Sequence, residues 1–169
     1  MQLKNTYSAR EVASLTGLSA RQLQWWDERR VFASAVAPKR TAAGGFTERR
    51  YTPVDLLELM VLADLRRQGL SINRIRLLLD TLRDQFGVRL FDAVGGAGPL
   101  TLLTDGRDIY ARTTQGEFFN VLRDPTQPLL ELGDELPLKA LTAKARARRR
   151  KKRGKQQRPS AARKASTSS

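Results

Sequence analysis

The stretch YSAREVASLTGLSARQLQWWDERRVF, residues 7–32, constrains the fold most, because it reads as two short helices turned about one tight corner. Ser8 has the N-cap residue type, and Glu11 three positions later completes a capping box. Val12 and Leu15 then share an inward face, and Ala13 is small enough for close helix packing. Gly17 supplies the sharp exit, Leu18 plugs the corner, and Ser19 caps the second helix. There Leu23, Trp26 and Arg30 fall at i, i+3 and i+7, so the inner face uses Leu23 and Trp26. Arg21, Gln22, Gln24, Trp25 and Asp27 are left on the other faces.

Charge adds direction to this pattern. The 169 residues carry a net charge of +14, but unevenly. Residues 1–51 hold 9 basic and 4 acidic residues, residues 52–138 hold 9 and 13, and residues 139–169 hold 13 and none. A basic head and a strongly basic end favour a polyanionic partner, and nucleic acid is the commonest one. An open helix face of Arg and Gln just beyond a Gly corner suits a helix-turn-helix that reads the DNA major groove. Cysteine and histidine are both absent. Thiolate nucleophiles, disulfides and Cys- or His-based metal sites are therefore excluded, and no cofactor is expected. Asp105, Asp108 and Glu117 could be imagined as a carboxylate metal site, but a turn and an exposed strand explain them, so no enzyme is expected. No apolar run approaches membrane-spanning length and no signal-peptide pattern opens the chain. The expectation is a cytoplasmic, bacterial-type nucleoid-associated protein without a membrane partner.

The rest of the chain reads in three blocks. ASAVAPKRTAAGGFTERRY is turn-rich and bears Lys39, Arg40, Arg49 and Arg50. Short β pieces at residues 31–35 and 46–51 would make it a basic hairpin, or wing; a disordered surface loop is the alternative. Helices follow at about residues 53–68, opened by Thr52-Pro53, and 72–86, capped by Ser71 and closed by Gly87. After a short helix and a glycine-rich linker at residues 95–99, the pairs Asp105-Gly106, Gln115-Gly116 and Asp124-Pro125 divide residues 100–133 into a meander of three or four antiparallel strands. Such a sheet needs a partner surface, either the helical part or a second chain, so a homodimer through residues 100–133 is one expectation. From about residue 141 the composition is that of a disordered tail. The fold class expected is mainly α: residues 1–87 a winged helix-turn-helix, 88–138 a helix, linker and small β segment, and 139–169 a basic tail.

The ordered set of helix, Gly corner, Ser-x-Arg-x-Leu, aromatic pair plus acid, Arg-x-Tyr, Asp-Leu and Gly-Leu-Ser-Ile resembles the DNA-binding domain of the mercuric-resistance-regulator (MerR) family over residues 7–79. The resemblance implies double-stranded DNA as partner, Arg21 on the major groove, and Arg49 and Tyr51 on phosphates from the wing. Trp25 and Trp26 fill the family's aromatic pair, one member of which packs inside while the other approaches the backbone. Trp26, in phase with Leu23, is expected in the core. For Trp25 two readings stay open, an indole N–H donated to a phosphate or a ring packed under the wing. The family's long dimerisation helix is interrupted here by Gly87 and the 95–99 linker, and metal sensing by Cys or His chemistry is impossible.

The function expected is sequence-specific DNA binding by a transcriptional regulator. Its DNA-contacting set is Arg21, Gln22, Gln24, Trp25, Lys39, Arg40, Arg49, Arg50 and Tyr51. Arg148, Arg149, Arg150, Lys151, Lys152 and Arg153 of the tail add non-specific phosphate contact. The alternatives are an architectural, excisionase-like DNA-bending protein and an antitoxin-like module with a protein partner. Any small-molecule effector is unknown from sequence.

Overall fold

The computed structural model describes residues 4–36, 39–40, 42, 47–130 and 137–143. Strand β1 (Tyr7–Ser8) leads into helix α1 (Ala9–Thr16). The capping box forms as the residue types demand: Ser8 Oγ accepts from the Glu11 N–H, and the Ser8 N–H donates to Glu11 Oε2 at 2.8 Å. Val12 is fully buried, whereas Leu15 is only partly so, because Thr16 takes the second inward position. The Thr16 hydroxyl donates to the Val12 carbonyl at 2.7 Å and accepts from the Leu18 N–H, which closes the corner. Gly17 turns that corner at φ 80°, a left-handed conformation that suits a residue without Cβ.

Helix α2 (Ala20–Glu28) begins at the Ser19 cap and ends before Arg30, which the helical phase had placed on its inner face. Arg30 does not extend the inner face. It sits exposed at φ 54°, and the chain reverses there to insert Val31 and Phe32 into the core. The N–H groups of Val31 and Phe32 both bond the Trp26 carbonyl. Residues 31–35 are therefore an anchored turn rather than the strand expected there. The wing's paired strands are β2 (Lys39–Arg40) and β3 (Thr47–Glu48), with Lys39 opposite Glu48. Strand β4 (Arg50–Tyr51) pairs instead with β1, tying the end of the wing to the start of the chain.

Helices α3 (Pro53–Arg67) and α4 (Ile72–Phe86) follow, and α4 ends on left-handed Gly87. A four-residue helix α5 (Leu90–Ala93) then turns the chain toward the sheet. The sheet holds β5 (Leu100–Thr104), β6 (Ile109–Thr113), β7 (Phe118–Asn120), β8 (Asp124–Leu129) and β9 (Lys139–Ala140), antiparallel in the order β8-β7-β6-β5-β9.

This corrects the mainly α expectation. The described residues contain nine strands beside five helices, and the chain is α+β. Its strand content was underestimated because β9 comes from the stretch read as tail, and because two-residue pairings such as β1 with β4, a separate small sheet, leave no periodic trace. Leu141, just past β9, is itself in the core and donates its N–H to the Leu102 carbonyl. The sheet is also no appendage. Leu100, Leu102, Ile109, Ala111 and Val121 join one hydrophobic cluster with Leu23, Leu59 and Leu78, and Phe119 meets Phe86 of α4 edge to face at 5.4 Å. The chain's own helices thus cover this apolar face, the first of the two partner surfaces that the sequence left open. Any homodimer through residues 100–133 must use the outer face or the edges, and edge strand β8 carries Pro125 and Pro128, which blunt strand addition. No helix among the described residues is long and apolar enough to cross a membrane.

The α5–β5 connection depends on one close approach. A Cβ built on Gly98 lies 1.7 Å from the Asp92 carbonyl oxygen, a backbone atom that cannot move aside alone. Gly98→Ala is expected to destabilise the fold by about 1–3 kcal/mol, read as a lower urea midpoint. An unchanged midpoint would contradict the close approach.

Candidate nucleic-acid interface

The corner and helix α2 present one open face. Arg21 is exposed in the first turn of α2, next to the Gly17 turn. The Gln22 side chain accepts from the Ser19 N–H at 2.8 Å, completing a second capping box, so its carboxamide oxygen is engaged by the helix start. Gln24 donates to Glu28 at 2.8 Å along the same exposed face. The tryptophan pair divides as expected. Trp26 is 2% exposed, whereas Trp25 is 38% exposed and carries the Arg29 guanidinium over its ring at 5.0 Å. That stack makes a flat cationic surface beside the helix.

The wing is held to this helix by a side-chain pair that the sequence did not announce. Arg49 Nε donates to Asp27 Oδ2 at 2.7 Å, and both side chains are about two-thirds covered. One edge of Arg49 is therefore spent on positioning the wing against the helix. Arg50 lies 3.8 Å from Glu48 in a loose ion pair. Tyr51 is 2% exposed and belongs to the core, and its burial pushes the phenol above its usual range. The structure thus brings Arg21, Trp25, Arg29 and Arg49 around α2, while Tyr51 is not brought to the surface. Lys39 and Arg40 form strand β2, opposite Glu48 and Thr47. Arg148, Arg149, Arg150, Lys151, Lys152 and Arg153 lie outside the described residues.

Two further arginines brace the corner. Arg67 Nη1 of α3 donates to the Thr16 carbonyl at 2.9 Å, and Arg76 Nη2 of α4 donates to the Arg29 carbonyl at 2.9 Å. These satisfy carbonyls at the C-terminal ends of α1 and α2, where helices leave acceptors orphaned. Both are remote in sequence from what they brace, so only the last-turn position of Arg67 on an exposed helix end hinted at such a role.

The model of the MerR HTH family regulatory protein matches residues 7–82, the segment from β1 to Leu82 within α4. Residues 7–82 are a MerR-family helix-turn-helix domain. This MerR-type domain holds the corner, the split tryptophan pair, the wing and both bracing arginines. Two uncharacterised HTH-type transcriptional regulators, from Mycobacterium bovis and Mycobacterium tuberculosis, are each 30% identical to this chain over 118 residues. That is 69% of this chain and 48% of theirs, so the chain spans about half the length of the curated relatives it matches. The similarity is longer than the MerR-type domain itself and includes residues outside it.

Proposed function

We propose that this chain binds double-stranded DNA through α2 and the wing and regulates transcription. The observation that carries the reading is the face of α2. Arg21 projects from its first turn beside a left-handed Gly corner, and Arg49 and Arg67 brace the elements on either side. In this reading Arg21 forks onto a base edge, Trp25 and Arg29 lie along the backbone, and Arg49 offers its other edge to a phosphate. The basic stretch after residue 143 adds affinity without sequence preference. The role is regulatory rather than catalytic, and with neither Cys nor His in the chain it does not run through thiolate or imidazole metal ligands.

The test is selection of bound duplexes from a random pool by the full chain. One enriched motif is expected, and recovery of the unselected base composition would instead mark a purely architectural binder. Asp27 gives a second expectation with an unintuitive sign. Removing an acid beside DNA ought to strengthen binding by relieving repulsion. Because Asp27 positions Arg49, Asp27→Asn is expected to weaken binding by about 0.5–1 kcal/mol, the scale of a partly exposed ion pair. Tighter binding by the variant in a titration would overturn the positioning role.

A further inference from the structure

A cavity of about 330 Å3 opens where the α3–α4 turn of the MerR-type domain meets the sheet. Gln68 and Arg74 line it from the helical side, and Arg107, Asp108 and Arg123 from the β5–β6 and β7–β8 turns. Asp108 is buried, and its Oδ1 accepts from both Arg74 Nη2 at 3.3 Å and Arg123 Nε at 3.1 Å. Each of these arginines thereby spends one N–H on Asp108 and keeps the remaining donors of its guanidinium. Arg107 is exposed, and its guanidinium makes no hydrogen bond among the described residues. Asp105, in the same β5–β6 turn, is not among the residues lining this cavity. Its Oδ1 accepts from the Arg107 and Asp108 N–H groups at 2.8 Å, and these bonds hold its carboxyl below its usual range. Three guanidinium groups against one carboxylate therefore line the cavity.

A tie between two parts of a fold needs two partners, and Arg74 with Asp108 already makes one. The surplus is two arginines, with forked donors suited to tetrahedral oxyanions. The volume is at the lower end for small-molecule sites and accommodates a phosphate bearing a small organic group. We propose that this cavity holds a phosphate-class oxyanion, supplied either by a free phosphorylated small molecule or by a phosphate of bound DNA. Because its walls come from both the MerR-type domain and the sheet, occupancy bears on how firmly the two are joined. Only the DNA source rests on the function proposed above.

The experiment uses the full chain with Arg107→Gln and Arg123→Gln, and inorganic phosphate as the probe against chloride at matched ionic strength. Phosphate that clings to the basic tail alone binds folded and unfolded chains alike and leaves the melting temperature unchanged, whereas binding at a built site raises it. At about ten times its dissociation constant, phosphate should raise the midpoint by roughly 5 °C, and both variants should lose that rise. This outcome assigns a free phosphate ligand whether or not the chain binds DNA. If phosphate gives no rise but each variant flattens the salt slope on random duplex by about one unit, the occupant is a DNA phosphate. A phosphate rise that survives in both variants, or no effect in either assay, overturns the proposal. Arg107→Gln keeps the test independent of folding, because its guanidinium supports no other side chain among the described residues.

Discussion

Truncation after Ala143 is expected to lower affinity for every duplex by a similar factor and to flatten the salt dependence of binding by about 5 units. The cut falls at residue 144 because β9 and Leu141 belong to the sheet and core, so an earlier cut would damage the fold. Residues 144–169 carry 12 basic residues and no acidic one. If roughly half of them neutralise phosphates, each releases about 0.9 counterion on duplex DNA. Between 50 and 200 mM salt the full chain should then lose about a thousandfold more affinity than the truncated one. The measurement is a titration of both proteins on a selected and a scrambled duplex across a salt series, with melting curves to show that both are folded. An unchanged slope after truncation would remove the tail from the interface.

Arg89→Ala is expected to cost about 3 kcal/mol of stability, a large share of the 5–15 kcal/mol typical of a domain. Asp55 is fully buried and Glu58 is 4% exposed, unusual placements for two acids on one helix. Arg89 answers both. Its Nη2 donates to Asp55 Oδ1 at 3.0 Å and its Nε to Glu58 Oε1 at 2.9 Å, and the bonded Glu58 carboxylate raises the guanidinium above the usual arginine range. Truncating Arg89 leaves two desolvated carboxylates without a counter-charge, and the penalty is mostly theirs. The expected figure sits at the low end of the range for breaking buried pairs, because Arg89 itself is half exposed and water screens part of its charge. The carboxylates also keep backbone donors, Thr52 N–H and Ala35 N–H for Asp55 and Phe91 N–H for Glu58. Urea unfolding of Arg89→Ala, alone and combined with Glu58→Gln, separates the contributions. The loss should shrink in the Glu58→Gln background, and an equal loss in both backgrounds would contradict charge pairing as its cause.

Local rules were legible in the sequence and remote ones were not. Ser8 with Glu11, Gly17 and Ser19 act through neighbours three or four residues away, so their caps and corner could be read directly. The split of Trp25 from Trp26 followed from helical phase with Leu23. Helical phase could not show that Asp55 and Glu58 point inward, because their partner Arg89 lies more than thirty residues on, beyond a helix and a turn. The burial of Tyr51 was hidden for a related reason. Its Arg-x-Tyr context implied a phosphate contact, whereas its pairing with Tyr7 across β1 and β4 draws the ring into the core. The five-stranded sheet was read as smaller because β9 is two residues long and is separated from β5, its partner, by three other strands.

Sequence preference residing in α2, with affinity shared by the wing and the basic tail, is the central claim. The most direct test is binding of Arg21→Ala to the selected duplex and to a scrambled one of the same length, across one salt series. Arg21 can fork onto guanine O6 and N7, so its loss should cost about 1–3 kcal/mol on the selected duplex and distinctly less on the scrambled one. Equal losses on both duplexes would make Arg21 one more phosphate contact and contradict specificity in α2.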